Sequence, residues 1–361
     1  MKIISLISVG AVWGKVWPIL LGILFFGFII IFHELGHFIF AKLFKVQVNE
    51  FSIGMGPCLF RKRKGETKYC LRLFPIGGYV SMEGEDEESD NERAFCNKPS
   101  WQRFIIIAAG GIINVIMGII IVSIMLGQSD LIGTPQIHSF DEAAVSNSYG
   151  LQVKDKIKKI NGKRVFSEQD IGYLMSRDGD GAIDFVVERD GALTELDGVK
   201  FQTVDNKDGK LTIIYDFIIV GVEPNFWNVV KNSFGESMSI ARIVWLSLSD
   251  LLTGQYGLSD ISGPIGIVTN IADMAQTATK ETDYTVLLWF LAVIAINVGL
   301  FNLLPVPALD GGRLFFLLIE IVFRKPVPRK YEGWVHAIGL FLLLVLMAVV
   351  SFSDIINLIR N

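Results

Sequence analysis

Residues 17–41 read WPILLGILFFGFIIIFHELGHFIFA, a run that is apolar except for His33, Glu34 and His37 near its end. About 20 apolar residues are enough to cross the hydrocarbon core of a bilayer as a helix. Ionisable side chains are costly inside such a segment and usually mark a functional site. The run therefore predicts a membrane-spanning helix that carries chemistry.

The composition of the whole chain also indicates a membrane protein. Hydrophobic residues make up 51% of its 361 residues, charged residues 19%, and the mean hydropathy is +0.46, which is too apolar for a water-soluble globule. We expect spans at residues 17–41, 104–126, 286–304 and 334–353. The predicted fold class is a polytopic α-helical membrane protein with four transmembrane helices and one inserted polar domain.

The Lys and Arg residues predict the orientation. Residues 42–103 hold 11 of them and the short linker 324–333 holds four, so both loops should face the cytoplasm. Residues 128–284 hold 14 basic and 23 acidic residues, which suits the opposite side and excludes a nucleic-acid partner. We expect a multi-pass protein of the inner (cytoplasmic) membrane, with the lipid bilayer as a partner and both termini outside.

The beginning of the chain allows an alternative. A Met-Lys start and Lys15 before the first span also fit a signal peptide. Since no small-residue cleavage pattern follows the span, we expect it to be retained.

All three cysteines, Cys58, Cys70 and Cys96, lie in the loop expected to face the cytoplasm, where thiols stay reduced. Their spacing matches no zinc-site pattern. We expect three free thiols.

The segments between the spans predict three further structures. Residues 46–53 and 69–80 flank a basic turn and indicate a β-hairpin next to the membrane. In the polar region, strands are expected near residues 136–139, 156–160, 183–188 and 211–214, with Asn161-Gly162 as a hairpin turn. Residues 226–253 combine apolar positions at helical spacing with scattered charges, which favours a helix on the outer membrane face.

The pattern His33-Glu34-Leu35-Gly36-His37 predicts a metal site. Histidines at i and i+4 lie on the same helical face and can bind one metal. Zinc suits two imidazole nitrogens and a carboxylate, with a position left for water. Glu34 can take a proton from that water and pass it to a leaving amine, as a general base and then an acid. The pattern therefore predicts a hydrolase.

Asp310 is the candidate third ligand. It lies in residues 302–312, NLLPVPALDGG, about 24 residues into the third span, where prolines and glycines break the helix and let the aspartate turn inward. Taken alone, the segment could be a turn that ends a helix. Because the chain also contains the His33–His37 pair, Asp310 is better interpreted as a metal ligand. His138 and His336 have no such companions and are expected at surfaces or interfaces.

Together these motifs resemble the site-2 proteases of the bacterial regulator-of-sigma-E type, in peptidase family M50, over nearly the whole chain. Supporting motifs lie at residues 51–57, 77–80, 110–114 and 262–266. The resemblance implies that His33, His37 and Asp310 bind Zn²⁺ and that Glu34 is the catalytic acid/base. It also implies that Asn302 helps to hold the substrate backbone or the oxyanion.

Other positions are candidates for substrate contact. Asn114 shares the second span with Gly110, Gly111 and Gly118, a pattern typical of close helix packing, so we expect a structural role with a substrate contact as the alternative. An unwound substrate could pair with the hairpin edge near Gly77 and Gly78 by strand addition.

The polar region is similar to a PDZ domain, through residues 142–144 and 150–162. A PDZ groove binds an extended peptide along a sheet edge. Lys154 replaces the glycine usual in that family, and residues 130–136 have no glycine-rich carboxylate loop. Capture of peptide C-termini and a size-excluding cap both stay open as roles.

We therefore expect an intramembrane zinc endopeptidase that cleaves single-span transmembrane proteins or peptides, either an anti-sigma factor or a remnant signal peptide. We expect a first membrane half at residues 1–127 and an extracytoplasmic PDZ-like domain at residues 128–222. A membrane-surface helix with a linker is expected at residues 223–284, and a second membrane half at residues 285–361. The active site should lie in the cytoplasmic half of the bilayer. A metal transporter would not need Glu34, and a silent scaffold would not need all four catalytic positions.

Overall fold

The structure is a computed structural model that describes residues 9–85, 87–178, 180–205, 211–253, 263–281, 283–325 and 327–360. Its helices are α1 (Val9–Leu43), α2 (Ser100–Gln128), α3 (Glu168–Ser176), α4 (Phe226–Leu252), α5 (Pro264–Glu281), α6 (Thr285–Leu303), α7 (Asp310–Phe323) and α8 (Arg329–Arg360). Its strands are β1 (Val48–Lys64), β2 (Thr67–Met82), β3 (Ile132–Phe140), β4 (Lys156–Ile160), β5 (Lys163–Arg164), β6 (Ala182–Arg189), β7 (Ala192–Lys200), β8 (Thr203–Asp205), β9 (Leu211–Ile213) and β10 (Phe217–Val222). These elements form two compact units. The membrane unit comprises the described parts of residues 1–118 and 250–361, and the β-rich unit those of residues 119–249.

In the part of the chain that the structure describes, four helices are long and apolar enough to cross a bilayer, as the sequence predicts. The candidate spans are Ile19–Leu43, Ser100–Gln128, Thr285–Leu303 and Lys330–Ile356. Large apolar side chains such as Leu24 and Phe341 are exposed on these helices, which suits contact with lipid better than contact with water. The prediction of a four-helix membrane protein with a β-rich part is confirmed at this level.

The third span ends at Leu303, and a separate helix, α7, begins at Asp310. Leu304 is extended, with φ −70° and ψ 147°, because a residue that precedes a proline, here Pro305, avoids the helical region. The expectation that Asp310 lies within the third span is therefore wrong. It occupies the first turn of the next helix.

Glycines let the spans of the membrane unit approach each other closely. A methyl group at Gly36 would lie 2.6 Å from the Ala109 carbonyl oxygen, and one at Gly299 would lie 2.6 Å from that of Gly111. Such contacts are typical of small residues at helix interfaces in membranes. The backbone of α2 is thereby held against both α1 and α6.

Residues 254–284, which the sequence suggested as part of a linker, contain helix α5. Among the α5 residues whose side chains are described, the buried ones are mostly small, and they are Ile271, Ala272, Ala275 and Ala278. The carboxylate of Asp354 on α8 accepts backbone N–H groups of Gly263 and Gly266, at 3.3 and 2.9 Å, which satisfies the start of α5. Ser262 of the same motif lies outside the described residues.

The predicted hairpin is present as the antiparallel pair β1 and β2. Residues 48–53 of β1 pair with 78–82 on one side, residues 50–53 pair with 68–71 on the other, and residues 58–64 pair with 67–72. In the described part of the sheet, residues 78–82 have a strand on one side only. They form an edge.

Cys58 and Cys70 form a disulfide across this hairpin, with their Cα atoms 5.8 Å apart. The expectation of free thiols is therefore wrong for these two residues and holds for Cys96. The pairing of β1 with β2 brings the two Cα atoms into the range that a disulfide requires, which spacing along the chain does not reveal.

The β-rich unit is built on a sheet of order β10-β3-β4-β6-β7, with β5 paired to β4 and with β8 and β9 as a separate pair. Asn161-Gly162 forms the tight turn between β4 and β5, and both residues have positive φ, 45° and 73°, as a type I′ turn requires. Buried apolar residues fill the core, and among them are Ile137, Leu151, Ile157, Ile171, Ile183, Phe185 and Phe217.

Helix α4 covers the stretch predicted to be helical, and its polar side is the buried one. Ser239 is within hydrogen-bond distance of Ser167, 2.9 Å, and Arg242 forms an ion pair with the buried Asp170. The large side chains on its other side are exposed, and they are Phe226, Trp227, Phe234, Met238 and Trp245. An apolar stripe of this kind is typical of a helix on a membrane surface.

Candidate metal centre

His33 and His37 lie one helical turn apart on α1, and their side chains converge. Their Nε2 atoms are 3.2 Å apart, and their rings are nearly perpendicular, at 85°. The side chains are only 12% and 10% exposed. The i, i+4 spacing thus presents two imidazole nitrogens to one point.

Asp310 completes a triangle of donor atoms. Its Oδ2 lies 3.0 Å from Nε2 of His33 and 3.1 Å from Nε2 of His37, yet it is buried and has no hydrogen bond within the described structure. Zinc with bonds of about 2.0 to 2.1 Å in tetrahedral geometry separates its ligands by roughly 3.3 Å. The three atoms therefore suit a single zinc ion, and the break between α6 and α7 is what delivers the third.

The orientation of His37 is set by a backbone contact. Its Nδ1 lies 2.9 Å from the carbonyl oxygen of Ile106 on α2. Because a carbonyl only accepts, Nδ1 carries the hydrogen and Nε2 keeps its lone pair. Second contacts of this kind fix the tautomer of metal-binding histidines.

Gly110 on α2 leaves room for both rings. A methyl group there would lie 2.4 Å from Nε2 of His37 and 2.8 Å from Cε1 of His33. Sequence reasoning assigned this glycine to helix packing alone. The structure adds that a side chain at Gly110 would occupy the space of the ligands.

Glu34 lies next to the three donor residues, His33, His37 and Asp310, and contacts the hairpin. Its carboxylate accepts the backbone N–H of Val80, and a methyl group at Gly78 would lie 3.3 Å from its Cγ. The edge formed by residues 78–82 thus runs past the candidate acid/base.

A charged network braces the hairpin next to this edge. Glu50 accepts hydrogen bonds from Lys68 at 2.7 Å, Arg72 at 2.7 Å and Tyr79 at 2.8 Å. Burial works to raise the pKa of Glu50, but these three donors outweigh it and lower the pKa to about 2. The carboxylate is therefore charged at neutral pH and ties the two strands together.

Comparison with known proteins agrees with this geometry. The model of peptidase family M50 matches residues 21–346. The chain belongs to this family. A Clostridium acetobutylicum protein named as a zinc metalloprotease is 35% identical over 344 residues, which cover 94% of this chain and 97% of the relative. The regulator of sigma-W protease RasP of Bacillus subtilis is 30% identical over 416 aligned residues, which cover 92% of this chain and 97% of RasP.

As an M50 peptidase, the protein is a zinc metalloprotease of the site-2 type and a multi-pass membrane protein. Two imidazoles and a carboxylate form a donor set that zinc accepts, and it leaves a coordination position open in a catalytic site. In the described part of this M50 peptidase, His33, His37 and Asp310 are the group that could hold a metal ion.

The remaining candidates of the M50 peptidase are placed less tightly. Asn114 is fully buried one turn beyond Gly110, and neither atom of its amide has a partner in the described structure. Asn302 is half-buried in the last turn of α6. Gly77 has φ 87° and lies against Met55. The structure brings Gly78 to Glu34, whereas the amide of Asn114 forms no hydrogen bond with the three donor atoms.

Sequence reasoning missed a contact of His336. Its Nδ1 accepts the backbone N–H of Ala308 at 3.0 Å, two residues before Asp310. The two residues are 28 positions apart and on different elements, so no spacing rule would have paired them.

Proposed function

We propose that this M50 peptidase is an intramembrane zinc endopeptidase in which His33, His37 and Asp310 bind the metal and Glu34 is the general base and acid. The observation that supports this most is the convergence of three donor atoms 3.0 to 3.2 Å apart with Glu34 directly after the first ligand. Zinc held there would supply Lewis-acid chemistry to water and to a peptide carbonyl.

The protein's own residues handle the proton. The Glu34 carboxylate takes a proton from the attacking water and later delivers it to the nitrogen of the leaving amine. The Val80 N–H that Glu34 accepts holds the carboxylate toward the reacting atoms. Lewis-acid chemistry at this position needs such a base because the water must lose a proton as it attacks.

A transmembrane substrate must expose its carbonyl first, because a helix keeps its carbonyls in its own hydrogen bonds. The edge at residues 78–82 pairs with a strand on one side only in the described structure, and the N–H groups of Val80 and Met82 are bonded to Glu34 and Glu85. The other backbone groups of this edge would pair with an unwound segment by strand addition, with Gly77 and Gly78 keeping the approach clear. Asn302 would hold the substrate backbone or the oxyanion, and the unpaired amide of Asn114 is a second candidate. Gly78→Pro should abolish cleavage of a single-span substrate while zinc stays bound, and unchanged cleavage would sink this step.

We propose the substrate class from the family resemblance and the membrane setting. RasP is named as a regulator of sigma-W, which supports an anti-sigma factor as the substrate, with a remnant signal peptide as the alternative. We place the metal centre in the cytoplasmic half of the inner membrane and the β-rich unit outside the cytoplasm. There a PDZ-like unit would bind peptide C-termini or exclude large substrates, with α4 on the membrane surface.

The deciding experiment compares wild type with Glu34→Gln in purified protein, using a single-span substrate and measuring zinc content in the same samples. We expect cleavage to fall by about 10² to 10⁴-fold, while zinc content stays near one per chain. Glu34→Gln that cleaves like wild type would refute the base assignment, and a zinc-loaded wild type without cleavage would refute the protease function. The Glu34→Gln protein can then be used to trap and identify the substrate.

A further inference from the structure

The turn that carries Asp310 contains a residue in an unusual conformation. Ala308 has φ 72°, in the left-handed region that L-residues other than glycine avoid. It lies two residues before the candidate ligand, so its dihedral angles direct the chain into the first turn of α7. A strained residue at such a position persists only where surrounding contacts impose it.

His336 on α8 supplies that contact. Its Nδ1 accepts the N–H of Ala308 at 3.0 Å, and since the ring must offer a lone pair there, its hydrogen is on Nε2. The Nε2 atom is buried and has no partner in the described structure. The hydrogen bond to Ala308 is therefore the polar contact that accounts for a histidine at this position.

The ring and its helix are held close to the turn. A methyl group at Gly312 would lie 2.9 Å from Cε1 of His336, and one at Gly339 would lie 2.3 Å from Cβ of Pro307. The ring also packs on Phe316, with centroids 5.9 Å apart. The backbone of α8 thus lies against the turn one helical turn beyond the histidine, which leaves the ring little freedom to move away.

We propose that His336 is a positioning residue of the metal centre, which holds Ala308 in the left-handed conformation and thereby aims the Asp310 carboxylate at His33 and His37. It does not touch the reacting atoms. The inference rests on the ligand set proposed above. Partners outside the ligand set typically change metal affinity by 10- to 100-fold when they are lost.

A pair of substitutions with matched shape tests the proposal on the full-length protein in detergent. Asn places an amide oxygen near the position of Nδ1 and can accept the Ala308 N–H, whereas Leu has nearly the same size and cannot. We expect His336→Leu to lose zinc to a competing chelator at about tenfold lower chelator concentration than wild type, and His336→Asn to stay within about threefold. His138→Leu, at an exposed position of the β-rich unit, should match wild type.

A second pair of variants addresses the backbone conformation directly. Because glycine adopts the left-handed region without strain, Ala308→Gly should restore most of the zinc retention in the His336→Leu background and change little by itself. Should His336→Leu fail to fold, His336→Gln takes its place, since its amide reaches the Nε2 position and not Nδ1. Equal zinc retention in the Leu or Gln variant and wild type would overturn the proposal, as would an Asn variant no better than Leu.

Asp310→Ala separates this inference from the proposed function. If Asp310→Ala loses zinc while His336→Leu keeps it, only the positioning role fails. If Asp310→Ala retains zinc as wild type does, the proposed ligand set itself is wrong.

Discussion

Both units of the protein bury ionisable groups, but they pair them in opposite ways. In the membrane unit, Oδ2 of Asp310 is buried beside two imidazole nitrogens and has no hydrogen bond in the described structure. In the β-rich unit, the fully buried Asp155 accepts two hydrogen bonds from Arg189, at 2.8 and 2.7 Å, and one from the Gln152 N–H at 2.9 Å. A carboxylate buried for structure is saturated by the protein itself, whereas one meant for a metal keeps its lone pairs open.

The largest expected effect comes from filling the space that Gly110 leaves for the rings of His33 and His37. Gly110→Ala puts a methyl group 2.4 Å from Nε2 of His37, a separation that real contacts do not reach, so a ring must leave its position. We expect at least about 100-fold weaker zinc retention and a similar loss of cleavage, because loss of one ligand costs several kcal/mol. Zinc content after dialysis against a chelator measures it.

Gly127→Ala is the matched control, because it lies on the same helix and a methyl group there meets nothing within 4 Å. It should retain zinc and cleave substrate as wild type does. If Gly110→Ala and Gly127→Ala retained zinc equally well, the rings of His33 and His37 would not lie against Gly110.

The next effect concerns Asp155, whose carboxylate accepts hydrogen bonds from Arg189 and Gln152. Asp155→Ala leaves Arg189 without its partner, and breaking a buried pair typically costs about 3 to 5 kcal/mol. We expect hydrogen-exchange protection of the β4 and β6 amides to fall accordingly. The control is Glu188→Ala, which breaks an exposed pair with Lys158 and should cost at most about 1 kcal/mol. A comparable loss in both variants would contradict the assignment of Asp155 as a structural carboxylate.

A smaller effect is expected from Glu236 on α4. Its carboxyl is neither fully hydrogen-bonded, as that of Asp155 is, nor next to possible metal ligands, as that of Asp310 is. It is 5% exposed and its Oε1 has no partner in the described structure. Burial raises its pKa from 4.5 to about 7, with Glu168 and Asp170 adding to the rise against a hydrogen bond from Ser167.

A carboxyl with a higher pKa in the folded state binds more protons when folded, so its contribution to stability is present below pH 4.5 and lost as the pH rises to about 7. The loss should approach about 1.4 kcal/mol per pH unit within that window. Hydrogen exchange of α4, with rates corrected for intrinsic pH dependence, should show this slope, and Glu236→Gln should remove it. A slope that persists in Glu236→Gln would assign it to another group.

Much of the fold could be predicted from local patterns. The spans follow from apolar length, the β4–β5 turn from Asn161-Gly162, and the hairpin from strands around a basic turn, because each depends on residues close in sequence. Helix α5 was missed because most of its buried residues are alanines. Their burial depends on the helices packed against them and does not produce a long apolar run in the sequence. The Cys58–Cys70 pair was missed because compartment and spacing say nothing about which cysteines two strands bring together.

Within the candidate site, the local part was again the predictable one. The histidines and Glu34 could be read from the sequence because one helical turn sets their geometry. Asp310 could be named as the third ligand from its broken segment and the histidine pair, but its place in the first turn of α7 could not be predicted, since nothing in its own segment states where a broken helix turns. The role of Gly110 and the contact of His336 with Ala308 depend on distances between helices, and no single segment contains them.

The sequence by itself determined that this chain is a membrane protein with a metal-binding helix, because hydrophobic length and the i, i+4 spacing act within one segment. The tertiary structure alone decided that three donor atoms from α1 and α7 meet within about 3 Å, that α2 leaves room for them at Gly110 and that α8 holds the turn before Asp310. Those features arise from close packing between helices, where a shift of one methyl group decides whether a ligand fits.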